Sequence, residues 1–175
     1  FSLTGSGGTT YSGIIFEMND LSNLYLAVRI NDDETNPGDN RVAFVFDNNH
    51  VGGSTLPVGS DVIECDGGSA NSHDRFWDGT ALLEDTSDGG NSNVACAYSR
   101  VGSNNEYELS HPLCTNGNGD MASGRVHDIC LAIGGTVGFM FGYRDSSGAG
   151  GLSEFATSPT ISNPADLASG SPSTF

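Results

Sequence analysis

Leu24-Tyr25-Leu26-Ala27-Val28-Arg29-Ile30 alternates strictly: Leu24, Leu26, Val28 and Ile30 fall on one face, and Tyr25, Ala27 and Arg29 on the other. Side chains of an extended chain point to opposite faces with a period of two, so this stretch reads as a strand with one buried side. Arg41-Val42-Ala43-Phe44-Val45-Phe46-Asp47 repeats the pattern with Val42, Phe44 and Phe46 on the heavy face. Thr136-Val137-Gly138-Phe139-Met140-Phe141-Gly142-Tyr143 does so again with Val137, Phe139, Phe141 and Tyr143, and its small residues Gly138 and Gly142 leave room for a close approach on the other side.

Working outward, residues 13–19, 61–65, 75–83, 93–101, 106–109 and 126–132 read as further strands. The connections 31–40, 48–60, 66–74, 85–92 and 115–124 are rich in Asp, Asn and Gly. Gly occupies 25 of 175 positions, which is turn-forming chemistry, and no stretch carries a helical stripe. Two stacked antiparallel sheets are the natural way to bury so many one-sided strands, giving an all-β sandwich of about 9–11 strands. Residues 1–150 are expected to form this single domain. Residues 151–175 are expected to add a C-terminal strand or an extended Ser/Pro-rich tail.

The chain holds 22 acidic residues, six Arg and no Lys, for a net charge of −16. Such a balance argues against nucleic acid or an anionic membrane as a partner, because both need clustered cations. Bound cations would relieve the repulsion among so many carboxylates, and calcium, a hard ion that prefers oxygen, is the cofactor expected. No apolar stretch reads as a transmembrane segment, and none reads as a signal peptide, so no membrane insertion is expected. The chain begins inside a strand at Phe1, as a processed form or an excerpt of a longer polypeptide would. Cys65, Cys96, Cys114 and Cys130 make an even count without a Cys-x-x-C pair, which points to two disulfides and an oxidising, secreted or cell-surface setting. Three pairings are open; Cys65–Cys96 with Cys114–Cys130 is the reading taken, because each closes a contiguous segment.

Asp32-Asp33-Glu34 follows the first quoted strand directly, where carboxylates at a strand end can converge on one cation. Asp47-Asn48-Asn49-His50-Val51-Gly52 opens like a calcium loop, with Asp47 and Asn49 as ligands, although Val51 and Val58 break the EF-hand spacing. Glu84-Asp85-Thr86-Ser87-Asp88 ahead of a Gly pair offers Asp85 and Asp88. His111 and His127 have acids nearby in sequence, and His111 reads as a structural residue bonding to backbone where the strand turns at Pro112. Nucleophile-elbow, zinc-protease and phosphate-loop motifs are absent, so no enzyme is expected. For sugar recognition the candidates are Trp77, the single Trp, with Arg75 beside it and Tyr25 on the mixed face of its strand; Tyr98 and Tyr107 could also face outward.

In order and spacing, the segments Leu24 to Asp32, Arg41 to Asp47, Tyr107-Glu108-Leu109-Ser110-His111-Pro112-Leu113 and Gly135-Thr136-Val137-Gly138-Phe139 resemble a DOMON-like domain. That superfamily includes the family 9 carbohydrate-binding modules and haem-binding subunits related to ethylbenzene dehydrogenase. The resemblance implies an immunoglobulin-like sandwich of two antiparallel sheets, outside the cytoplasm, that binds sugar, haem or calcium. It matches Asp32, Asp33 and Asp47 to positions where family-9 modules carry metal-binding or structural carboxylates. The paired Trp clamp of those modules has no counterpart beyond Trp77. Haem relatives use Met with His or Lys; with no Lys, and no spacing rule joining Met140 to His111 or His127, haem is not expected. The function expected is therefore an extracellular, non-catalytic, calcium-stabilised module recognising polysaccharide or identical subunits. A subunit of an extracellular filament or surface layer, joined by strand exchange, is the alternative; a haem-binding or hydrolytic domain ranks below both.

Overall fold

The computed structural model describes residues 1–4, 10–20, 22–32, 40–47, 58–114, 121–122, 125–126, 128–130, 136–145, 156–157 and 165–166. In chain order the strands are β1 (Ser2–Thr4), β2 (Thr10–Asn19), β3 (Asn23–Asn31), β4 (Arg41–Asp47), β5 (Asp61–Asp66), β6 (Ser72–Trp77), β7 (Leu82–Glu84), β8 (Ala95–Val101), β9 (Asn104–Pro112), β10 (Met121–Ala122), β11 (Arg125–Val126), β12 (Thr136–Arg144), β13 (Ala156–Thr157) and β14 (Ala165–Asp166). One sheet runs β1-β2-β3-β9-β8; the other runs β13-β12-β4-β5-β6-β7, with β14 also on β12. β10 and β11 form a separate pair. Every ladder is antiparallel, as a sequence of one-sided strands requires. Among the described residues no helix is long and apolar enough to cross a membrane.

The period-two faces meet in the middle. Leu24, Leu26, Val28 and Ile30 of β3 join Tyr107 and Leu109 of β9 against Val42, Phe44 and Phe46 of β4, Ile63 of β5, and Phe141 and Tyr143 of β12. Tyr98 and Tyr107, expected to be able to face outward, pack inward instead with ring centroids 5.1 Å apart, because they share the face of Cys96 and Leu109. Cys65 on β5 is bonded to Cys96 on β8, which staples one sheet to the other, and Cys114 is bonded to Cys130. Both pairings are those expected. Closing a loop of 31 residues restricts the unfolded chain by about 3.7 kcal/mol for the Cys65–Cys96 bond.

Several boundaries differ from the sequence reading: β2 starts at Thr10 and β9 runs Asn104–Pro112, both longer than expected, and of the expected strand 126–132 the described residues show Val126 in β11 and an isolated bridge at Cys130. The expected strand 75–83 is two strands, β6 and β7. Asp78 Oδ1 accepts from the backbone N–H of Thr80 at 2.7 Å and of Ala81 at 2.8 Å, and Gly79 takes the left-handed region at φ 102°, so the chain reverses there. The supposed loop 85–92 opens with a 3-10 turn, Asp85–Asp88.

Candidate functional site

Arg41, Glu64, Asp66, His73, Arg75, Trp77 and Glu84 all occupy outward positions of β4 to β7, because their strand neighbours Val42, Ile63, Cys65, Asp74 and Phe76 turn into the sandwich. Cross-strand register sets Arg41 opposite Asp66, Glu64 opposite His73, Arg75 opposite Glu84 and Trp77 opposite Leu82. The Glu64 carboxylate, 1 % exposed, accepts from Arg41 Nη1 at 3.1 Å and from Arg75 Nη1 at 2.6 Å. Burial raises the Glu64 pKa, and the two guanidinium groups pull it back. Arg41 also pairs with Asp66, and Arg75 Nε donates to Glu84 at 2.6 Å. His73 spans Asp66 and Glu84 at 3.2 and 3.1 Å. The result is a lattice of fixed donors and acceptors packed over the buried residues Ala43, Val45, Val62 and Gly142, with a half-buried indole at its margin. A pair of sugar hydroxyls can donate to one carboxylate and accept from the neighbouring guanidinium, and an indole face can stack on a pyranose ring.

A second constellation lies between the sheets. Asp61 (β5), Asp74 (β6), Asp85 (first residue of the 3-10 turn), His111 (β9) and Asp128 are all buried. Single ligand-type atoms of Asp61, Asp74 and His111 lie within 4.8 Å of one another, and so do those of Asp74, Asp85 and Asp128. Backbone holds the outer oxygens: the N–H of Ile129 reaches Asp61 Oδ2 at 2.9 Å, and that of Asn93 reaches Asp74 Oδ2 at 2.7 Å. No donor among the described residues reaches Asp61 Oδ1, Asp74 Oδ1 or either oxygen of Asp85. Burial raises the Asp74 pKa to about 7 and that of Asp61 well above the ordinary range, with neighbouring carboxylates adding to the rise at both. Asp85 is raised by burial first, then by Asp128 and Asp74. Burial lowers the His111 pKa, against the pull of Asp128.

Among the sugar-site candidates, Arg75 and Trp77 are two apart on one face of β6, whereas Tyr25 is on the outward face of the opposite sheet, its hydroxyl donating to Asp20 at 2.8 Å. Among the metal candidates, Asp33 and Asn49 lie outside the described residues, as does the side chain of Asp47. Asp32 faces inward, and its Oδ2 accepts from Tyr143 Oη at 2.5 Å and Asn40 Nδ2 at 3.2 Å, with Asn105 Nδ2 at 3.4 Å. That pocket sits at the Asn105 end of β9, and Asp85 joins the cluster at the His111 end, so the two do not converge. Asp88 is half-buried at the end of the 3-10 turn. His111 does meet backbone at Pro112, as expected, at 2.6 Å, but its other nitrogen turns to acids that sequence neighbourhood did not reveal. Asp61, Asp74 and Asp128 were missed; a signal existed for two of them, since Asp61 shares the face of Ile63 and Cys65, and Asp74 that of Phe76.

Neither a protein-family profile nor a curated protein matches the chain. Solved structures do. A family 9 carbohydrate-binding module from Caldicellulosiruptor kristjanssonii in complex with cellotriose superposes with a TM-score of 0.52 at 12% identity, covering 91% of this chain and 70% of that one. A module of the same description, with glucose, gives 0.50 at 13% identity, covering 91% and 71%. The fold is thus a β-sandwich like that of the family 9 modules.

Proposed function

We propose that this chain is a non-catalytic, extracellular carbohydrate-recognition module that takes saccharide on the outward face of β4 to β7. The observation that carries the reading is the adjacency of Trp77 and Arg75 on β6, beside a guanidinium–carboxylate lattice already held in place. A prearranged lattice spares the ordering cost of binding. A neutral polysaccharide also avoids the repulsion that a chain of net charge −16 imposes on anionic partners. The likeness to modules that hold cellotriose and glucose, and the two disulfides, support the substrate class and the setting. Calorimetric titration with cello-oligosaccharides is expected to show binding that falls about tenfold or more in Trp77→Ala and in Arg75→Gln, with the melting temperature of Trp77→Ala little changed. Equal affinity in both variants, or no binding to any neutral glucan, would refute this placement.

One observation favours subunit assembly as a second reading. β1 pairs with β2 only at Thr10, Tyr11 and Ser12, and Phe1 bonds to Gly13. Among the described residues no strand covers the outer edge of β2 beyond that point, and Ile14, Phe16 and Met18 are exposed there at 53%, 41% and 38%. An open edge carrying an apolar stripe is a surface for strand addition. Concentration-dependent association in analytical ultracentrifugation, abolished by Phe16→Lys, is the result expected of it; a monomer at all concentrations would remove it.

A further inference from the structure

We propose that the interior constellation is a divalent-cation site, in which Asp61 Oδ1, Asp74 Oδ1, the Asp85 carboxylate and His111 Nε2 converge with Asp128 on an ion that ties the two sheets together. The imidazole carries the argument. His111 is 1 % exposed, and its Nδ1 lies 2.6 Å from the Pro112 carbonyl, an acceptor, so Nδ1 holds the ring proton. In the neutral ring Nε2 is then a bare lone pair. It has no hydrogen-bond partner and lies 3.9 Å from both Asp61 Oδ2 and Asp128 Oδ2. A lone pair turned towards carboxylate oxygens inside a protein is repulsive unless a proton or a cation stands between them, and at 3.9 Å no proton bridges either pair. A separation of 3.9 Å is too long for a hydrogen bond and suits two ligands of one ion, each somewhat over 2 Å from it. The ring proton held by a backbone carbonyl is also the outer support that a metal-binding imidazole ordinarily has, and the N–H groups of Ile129 and Asn93 support Asp61 and Asp74 in the same way.

The donor set selects the ion. Oxygens outnumber nitrogen by several to one, which suits calcium or manganese, whereas the single imidazole and the lack of thiolate make a poor structural zinc site. The ligands come from β5, β6, the 3-10 turn, β9 and the segment at Asp128, so the ion would bind the folded chain and not the unfolded one. None of this depends on the sugar reading.

The test begins with protein dialysed against EDTA and then titrated with calcium chloride or manganese chloride. A tightly held ion is expected, and a melting temperature about 10 °C higher once the free ion exceeds its dissociation constant about a thousandfold. Asp85→Asn, on the 3-10 turn, is expected to weaken binding about 100-fold while melting close to wild type in EDTA, since a carboxyl that holds its proton there is replaced by a neutral group of the same shape. Pulsed EPR of the manganese-loaded protein is expected to show nitrogen coupling that vanishes in His111→Gln. Melting indifferent to both ions at millimolar concentration, or affinity unchanged in Asp85→Asn with no nitrogen coupling in wild type, would overturn the site.

Discussion

In EDTA the protein is expected to melt at a lower temperature at pH 8 than at pH 5. Asp74 is fully buried and its pKa is raised to about 7, chiefly by burial, whereas in the unfolded chain an Asp titrates near about 4. The folded state therefore holds this proton more tightly than the unfolded state. Its contribution to stability is complete below about pH 4 and is lost as the pH rises through about 7. Three units of difference correspond to about 4 kcal/mol, enough to move a melting point by about 10 °C in a chain of this size. Asp61 and Asp85 act in the same direction. Scanning calorimetry from pH 4 to 9 in EDTA measures the slope. Asp74→Asn is expected to flatten it between pH 5 and 7; a wild-type profile that rises towards pH 8 contradicts the account. With calcium or manganese present the slope reverses if an ion takes the place of the protons.

Phe44→Ala is expected to destabilise the fold by about 3–5 kcal/mol. Phe44 is 0% exposed at the centre of β4, with the Phe141 ring 5.2 Å and the Phe139 ring 5.7 Å from its own. Removing it deletes aromatic contacts and leaves a hole between two stapled sheets, which the Cys65–Cys96 bond hinders from closing. Urea unfolding is expected to show a lower midpoint with an unchanged slope. Phe16→Ala, at a 41% exposed position on the outer face of β2, is expected to shift the midpoint by less than about 0.5 kcal/mol. Similar losses at the two positions would mean that the sandwich does not enclose β4 as described.

The sandwich was legible because its central strands are one-sided: Leu24 to Ile30 and Val42 to Phe46 alternate without a break, and that pattern has one stable solution. The break between β6 and β7 was not legible, since Phe76, Trp77, Ala81, Leu82 and Leu83 read as one apolar run until Asp78 is seen to fold its side chain onto the turn. The interior acids were hidden for a different reason. An Asp at a strand end reads as the start of a loop, which singles out Asp32, Asp47, Asp85 and Asp88; of these Asp85 enters the interior cluster. Asp61 and Asp74 look alike in sequence but sit on the inward phase of β5 and β6. Their meeting with Asp85, His111 and Asp128 depends on tertiary packing of five separate segments, which no spacing rule encodes. The outward face proposed for saccharide was half legible: Arg75 and Trp77 are neighbours in the strand pattern, but Arg41, Glu64 and His73 reach them only through sheet register.

Cys114 stands three residues after His111, and Cys130 two after Asp128. The bond between them clamps the flanks of both side chains. Without that bond, bringing Asp128 to the cluster would cost the closure entropy of the chain between residues 114 and 130, offset in part by the Asn93 amide that donates to Asp128 Oδ2 at 2.7 Å. If the interior cluster takes the cation proposed above, oxidation before loading would spare the ion that cost.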